Sequence, residues 1–125
     1  MMEYNQNSIR IFRNGYEIKP YAELEKADLS EVSLYGLKLL LINLQEAKLN
    51  NSDLNKTTFY GVNLTGANLQ KACFSESYLR SVNFSGADLR GIDFRFTQFR
   101  DCNIVDSKIK GMIIDDGEGN EYIIG

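Results

Sequence analysis

The sequence contains no histidine, and this absence limits the chemistry that the chain can perform. Histidine is the most frequent general base of enzymes and the usual protein ligand of zinc. Serine and threonine are plentiful, but the sequence offers no base to activate their hydroxyl groups. We therefore expect a protein that is not an enzyme and that uses no cofactor and no metal.

Cysteine and long apolar runs are also scarce. The longest apolar run covers residues 39–42, whereas a bilayer-spanning helix takes about 20 residues. The first residues lack the cationic start and apolar run of a secretory signal. The two cysteines, Cys73 and Cys102, fall on different predicted sides and should not pair, which is typical of a reducing compartment. These features predict a cytoplasmic protein without membrane contact.

Net charge is small as well. The chain has 14 basic and 17 acidic residues, which gives a formal net charge of −3. A protein that binds nucleic acid directly usually carries a basic surface that neutralises phosphates. No direct nucleic-acid contact is therefore expected.

A period of five residues dominates what the sequence does contain. Residues 22–116 read as nineteen consecutive pentads, with an apolar third position and a small or apolar first position throughout. A helix turns about 100° per residue, so steps of five would scatter the third positions around it. Positions one and three share one side of an extended segment, and the chain must turn before the next pentad. The pattern predicts a hollow coil that these two positions fill.

A second period of twenty residues indicates the number of sides. Asn43, Asn63, Asn83 and Asn103 recur at the second position of their pentads. Twenty residues are four pentads, so identical residues stack when the coil has four sides. Stacked identical side chains form favourable ladders in parallel, in-register sheets. The sequence therefore predicts a four-sided parallel β-coil of nearly five turns.

The repeats resemble the pentapeptide-repeat proteins, whose consensus is A(D/N)LXX. ADLSE, ANLQK and ADLRG match it fully, INLQE, VNLTG and SDLNK differ by one conservative change, and VNFSG differs by two. The resemblance covers about three quarters of the chain. It implies an all-β fold, the right-handed quadrilateral parallel β-helix. The absence of catalytic residues and the regularity of the coil predict a non-enzymatic protein-binding or scaffold module.

There are two alternative functions, and the first of them follows from the same resemblance. Some members of the family mimic duplex DNA and bind DNA gyrase, which gives quinolone resistance. That mechanism needs a long, strongly negative dimeric rod, whereas this chain is short and nearly balanced in charge. The other alternative is a structural component of a larger assembly, such as a virion.

Both ends of the coil are predicted to carry caps, because an open solenoid end exposes core and unpaired backbone. In residues 1–21, Ile9, Ile11 and Ile18 alternate with polar residues around Asn14-Gly15, a favoured hairpin turn. A docking strand is the functional alternative for this hairpin. Residues 117–125 are expected to close the last coil with Tyr122, Ile123 and Ile124. Calcium binding by the acidic loop 115–120 is the less favoured alternative, because the EF-hand ligand spacing is absent.

Specificity is expected on the outer surface. One column carries Leu40, Tyr60, Arg80 and Arg100, with Lys38 and Tyr78 beside it. On consecutive corners, Arg90, Arg95 and Arg100 form a basic band. Tyr and Arg are frequent interface anchors, although a solvated surface with salt bridges is the plainer explanation. Leu40 and Leu41 point outward, and we expect the N-terminal hairpin to cover them rather than leave a patch for self-association. The candidate protein-binding residues are Leu40, Leu41, Tyr60, Tyr78, Arg80, Arg90, Arg95 and Arg100. The expected partner is an unidentified protein, and the chain is expected to be a monomer or a weak homodimer.

Overall fold

The structure, a computed structural model, describes residues 10–125, so the predicted alternation at Ile9 lies outside the described residues. Eight strands of three residues each occur in this range. They are β1 (Ile11–Arg13), β2 (Tyr16–Ile18), β3 (Lys38–Leu40), β4 (Thr58–Tyr60), β5 (Tyr78–Arg80), β6 (Gln98–Arg100), β7 (Ile113–Asp115) and β8 (Glu121–Ile123). β3 to β6 form one parallel sheet in chain order, and β1–β2 and β7–β8 are antiparallel pairs. Residues 10–125 contain no helix that could span a bilayer.

The register of the parallel sheet follows the period of twenty. Leu39, Phe59, Leu79 and Phe99 lie side by side on successive strands. The other three sides are held by single β-bridges with the same step, as in the asparagine ladder from Asn43 to Asn103. The prediction of a four-sided parallel β-helix is confirmed.

Positions one and three of the pentads fill the interior. Every third position from Leu29 to Leu89 is at most 1% exposed. Bulkier rings enter the later coils, where Phe59, Phe74, Phe84, Phe94 and Phe99 form a continuous chain of contacts with centroids 4.9–6.4 Å apart. Most of these contacts are edge-to-face, and each adds about 0.5–1.5 kcal/mol beyond the burial of area.

The fifth position of each pentad forms the corner. From Lys26 to Gly111 every fifth residue has a φ between 54° and 78°, whether or not it is glycine. A side chain in this left-handed region costs of order 1 kcal/mol. Ladder bonds hold most of these corners in place, as where the Leu41 N–H donates to the Tyr60 carbonyl at 2.8 Å, whereas the N–H groups of Asp101 and Asp106 have no backbone acceptor within residues 10–125. A Cβ added at Gly61 would lie 2.6 Å from Leu41 Cδ2, so the Leu41 side chain would have to move.

The N-terminal end of the coil is covered by the β1–β2 hairpin. Asn14 Nδ2 donates to the Asp28 carbonyl at 2.7 Å, and Arg13 Nε donates to the Ser33 carbonyl at 2.5 Å. Ile18 is 4% exposed and packs with the core, and Leu24 in the first coil is 8% exposed. The hairpin therefore lies across the first coil and shields its interior.

The C-terminal end differs from the prediction. Tyr122 and Ile123 are 51% and 72% exposed, so the expectation that they cover the last coil was wrong, and Ile124 alone of the three packs against the core. The Asp116 carboxylate accepts the backbone N–H groups of Glu118 and Asn120 and fixes a turn. This turn pairs β8 with β7, so β8 extends one side instead of crossing the end.

Candidate functional site

The outward side chains of β3 to β6 form a surface that we call the strand face. One column consists of Lys38, Thr58, Tyr78 and Gln98, and the other of Leu40, Tyr60, Arg80 and Arg100. A shallow groove of about 470 Å³ runs between the columns over β4, β5 and β6. The predicted column is therefore present as one continuous surface.

The second position of the pentad differs between this side and most positions of the other sides. At ten second positions of the other sides an Asp, Asn or Ser accepts the N–H two residues later, as Asn63 Oδ1 does from Thr65 at 3.0 Å. This local bond bends the chain after a single ladder residue. Lys38, Thr58, Tyr78 and Gln98 make no such bond within residues 10–125, and here the backbone stays extended over three residues. Lys48, Cys73 and Lys108 also lack this bond but form only single bridges, so the absence of turn-forming side chains contributes to the strand face without specifying it alone.

Aromatic and basic groups lie together on the strand face. Tyr60 and Tyr78 are 42% and 56% exposed. The Arg80 guanidinium lies 5.5 Å from the centre of the Tyr60 ring, in cation–π geometry. Such a contact is worth about 0.5–1 kcal/mol at an exposed site.

The predicted basic band is largely neutralised. Arg90 forms a two-bond pair with Asp88, with Nη2–Oδ2 at 2.7 Å and Nε–Oδ1 at 2.9 Å. Arg95 makes the same pair with Asp93, and its Nη1 also bonds Glu121 Oε2 at 2.9 Å. In both cases the carboxylate stands two residues before the arginine. Two arginines of the predicted basic band, Arg90 and Arg95, are therefore paired with carboxylates of the chain itself, in line with the salt-bridged surface considered above.

Arg80 and Arg100 occupy the same fourth position but have a different neighbour. Tyr78 and Gln98 stand two residues before them and offer no carboxylate. Neither arginine forms an ion pair within the part of the chain that the structure describes. They lie on adjacent strands, about 4.8 Å apart, where like charges repel. The column therefore carries two cations without a carboxylate partner in residues 10–125, one of which, Arg80, lies over the Tyr60 ring.

The two outward leucines lie at the N-terminal end of the strand face. Leu40 is half-buried, and Leu41 is 38% exposed and rests on Gly61. Tyr21 beside them is 72% exposed, and its N–H donates to the Leu40 carbonyl. Residues 10–19 leave Leu41 open, so the expectation that the hairpin covers it was wrong for the described residues. Tyr21, Leu40 and Leu41 form an apolar corner next to Tyr60.

No cluster of three or more His, Cys, Asp or Glu side chains that could hold a metal occurs between residues 10 and 125. In the acidic loop, Asp115 Oδ1 accepts the Gly117 N–H at 2.7 Å, and Asp116 Oδ1 accepts the Glu118 N–H at 2.8 Å. These bonds are typical of turn-forming aspartates. Cys73 and Cys102 are both partly buried free thiols.

Acid is expected to destabilise the fold only below about pH 4. The Ser30 hydroxyl lowers the pKa of Asp28 below its usual 3.8, and the Arg90 guanidinium lowers the pKa of Asp88 in the same way. A depressed pKa favours the folded state above the unfolded value, and this stabilisation is lost as pH falls through the folded value. Without histidine, no side-chain class titrates normally between pH 5 and 7. Thermal unfolding followed by circular dichroism should show a constant midpoint from pH 7 to 5. A decline of the thermal midpoint between pH 7 and pH 5 would contradict the conclusion that the stabilising carboxylates titrate only below about pH 4.

Comparison with known proteins places this geometry in a family. The family model for pentapeptide repeats matches residues 42–80 and 77–111 in eight copies. HetL, a pentapeptide repeat protein involved in heterocyst differentiation regulation from the cyanobacterium Nostoc sp. strain PCC 7120, is 24% identical with a TM-score of 0.54. The match covers 79% of this chain and 60% of HetL.

A trypsin-treated form of QnrB1, a plasmid-mediated fluoroquinolone resistance protein, is 18% identical with a TM-score of 0.53. The match covers 76% of this chain and 52% of that one, so the chain spans between half and two thirds of these structures. No curated protein sequence matches the chain. The repeats matched over residues 42–111, together with the four-sided parallel coil, show that the chain belongs to the pentapeptide-repeat family.

Proposed function

We propose that the protein is a rigid, non-catalytic binding module whose strand face docks an acidic segment of a protein partner. The observation that carries the proposal is the contrast among four arginines at the same pentad position. Arg90 and Arg95 are neutralised by a preceding aspartate, whereas Arg80 and Arg100 have no acidic partner within residues 10–125. A carboxylate-bearing partner supplies the negative charge opposite Arg80 and Arg100 that residues 10–125 do not provide.

The remaining strand face fits such a partner. Tyr60 and Tyr78 offer flat, exposed rings, and aromatic and arginine side chains dominate binding energy at interfaces. Every strand of the sheet is held in register by its neighbours, so little backbone entropy is lost on binding. The apolar corner of Tyr21, Leu40 and Leu41 gives the partner an anchoring point for an apolar side chain beside its acidic part.

The charge of this surface favours a protein partner over DNA mimicry. A rod that imitates duplex DNA presents negative charge, whereas the strand face presents two guanidinium groups that form no ion pair within residues 10–125. The fold shared with QnrB1 at 18% identity carries no information about a common target.

The test is affinity capture from lysate treated with nuclease, read by mass spectrometry. The test variant carries Tyr60→Ser, Arg80→Ser and Arg100→Ser, and the matched control carries Arg90→Ser and Arg95→Ser. We expect a protein that the wild type and the control both capture and that the triple variant loses. All three altered side chains point outward, so the thermal midpoint should change little.

Calorimetry with the purified captured protein then measures the effect. The triple substitution should weaken binding by about 100-fold or more, because anchoring Tyr and Arg residues each contribute over 1 kcal/mol. The wild-type affinity should also fall as salt is raised. Equal capture of the partner by the triple variant and the wild type would show that the strand face is not the docking surface.

A further inference from the structure

The strand face ends at an open edge. On the other three sides the twenty-residue ladders continue to a further level, at Asn103, Lys108 and Ile113. Among residues 10–125, β6 is the last strand of its sheet and no strand lies over it. The residues that would continue this side, 117–121, instead form the turn and the start of β8. One side of the last coil is therefore missing.

The backbone of this edge retains unused hydrogen-bonding groups. At the earlier corners of the same side, the N–H groups of Leu41, Gly61 and Ser81 donate to carbonyls of the next strand at 2.8–3.0 Å. The N–H of Asp101, at the equivalent corner after β6, has no backbone acceptor within residues 10–125. An unpaired strand edge is a template for a further strand.

The core is open at the same place. Phe99 and Ile104 are each 46% exposed, whereas Phe94, one pentad before Phe99, is 3% exposed. An open cavity of about 370 Å³ lies over them and is also bordered by Cys102 and Ile114. Its lining is almost wholly apolar, with Asp101 at the rim. The missing side therefore leaves a place for an apolar side chain as well as for a strand.

We propose that this site, which we call the β6 notch, binds an extended segment of a partner protein as an added parallel strand. The notch consists of the free edge of β6 and the cavity over Phe99 and Ile104. In the register of the sheet, the third residue of the segment lies over Phe99 and its fourth residue lies beside Arg100. The recognised pattern is thus a small residue, any residue, a large apolar residue and an acidic residue.

The acidic residue is expected at the fourth position of the bound segment because that position lies beside Arg100. Its guanidinium has no acidic partner in residues 10–125, and a carboxylate one strand away in the same column would pair with it. A second copy of this chain fits less well among the described residues. Its exposed strand β8 follows Tyr122 with Ile123, so no carboxylate would face Arg100, and residues 22–25, which match the pattern, hold Leu24 buried in the first coil. The charge of the site therefore favours a segment from another protein.

The β6 notch adjoins the docking surface proposed above and shares Arg100 with it, but it does not depend on that proposal. The probe is the capped peptide N-acetyl-GAELEG-amide, which carries the pattern of this chain's own first pentad, AELEK. Titration into isotope-labelled protein should give saturable NMR shifts at Phe99, Asp101 and Ile104. Replacing the peptide leucine with serine should weaken binding about tenfold or more, because an apolar side chain no longer fills the cavity.

A charge exchange tests the register. Arg100→Glu should weaken binding of GAELEG, and the peptide GAELKG should bind this variant better than it binds the wild type. A variant with Tyr60→Ser and Arg80→Ser should bind GAELEG as the wild type does, which separates the notch from the strand face. Absence of saturable shifts at millimolar peptide, or shifts confined to another side, would overturn the proposal. So would a stable dimer in sedimentation that Phe99→Ser dissociates, because a second copy would then occupy the notch.

Discussion

Phe84→Asp is expected to leave the chain unfolded at 25 °C. The Phe84 ring is fully buried and lies between Phe74 and Phe94, with centroids 6.4 and 5.9 Å away. Loss of a buried phenylalanine costs about 3–5 kcal/mol, and an unpaired buried carboxylate adds several more. A domain of this size has a total stability of about 5–15 kcal/mol. Four walls enclose the side chain, so the carboxylate has no route to solvent by rotation.

Circular dichroism and urea titration check this result, with two controls. Asn63→Ala removes an outward side chain that accepts the Thr65 N–H and hydroxyl, and should cost about 1 kcal/mol. Phe99→Asp places the same charge at an apolar residue that is already 46% exposed, and the variant should remain folded. A cooperative transition with an unchanged midpoint in Phe84→Asp would mean that the third positions do not form the core.

Ser77→Ala is expected to destabilise the protein by about 1–3 kcal/mol, although alanine is common at the first position. The Ser77 Oγ is 3.1 Å from the Thr57 backbone N and accepts its N–H, and it donates to the Leu54 carbonyl at 2.9 Å. Both Ser77 and Thr57 are buried. Substitution removes the acceptor of a buried N–H, and an unsatisfied buried donor costs its full desolvation energy.

Ser52→Ala is the matched control for this effect. Ser52 is also buried at a first position, and its Oγ donates to the Leu49 carbonyl at 2.6 Å. The Ser52 Oγ accepts no backbone N–H within residues 10–125, so its loss should cost about 0.5–1.5 kcal/mol. Urea unfolding of both variants measures the difference. Equal losses would show that the bond to the Thr57 N–H contributes nothing.

The coil itself is predictable because its long-range contacts repeat its short-range pattern. A residue such as Leu64 meets the residues twenty before and twenty after it, and these have the same pentad position. The two periods therefore specify both the local turn and the stacking register. Few folds allow this, since contacts between distant segments usually leave no periodic signal in the sequence.

The candidate site was only partly predictable. The column of Tyr60, Arg80 and Arg100 follows from the period of twenty, but the neutralisation of Arg90 and Arg95 depends on bonds inside one pentad. The signal was present: Asp precedes the arginine by two residues in ADLRG and IDFRF, and is absent from SYLRS and TQFRD. A residue-by-residue comparison of second and fourth positions distinguishes the paired arginines from the unpaired ones.

The open C-terminal end was not predictable from apolar residues alone. Tyr122, Ile123 and Ile124 have the composition of a cover, and composition does not specify where a strand lies. The position of β8 depends on the turn that Asp116 forms with Glu118 and Asn120. Aspartate and asparagine are turn residues in any loop, so their presence did not indicate the direction that the chain takes afterwards.

The stacking step of twenty residues restricts how the length of this chain can change. Deletion of five residues keeps every apolar side chain inside, yet it moves all later outer residues onto the neighbouring side and divides the strand face. Deletion of twenty shortens the rod and preserves each column. A change by one residue exchanges inner and outer positions throughout the remaining coils. Insertions and deletions that retain a working surface should therefore occur in whole coils, and those in single pentads should redistribute the surface without unfolding the chain.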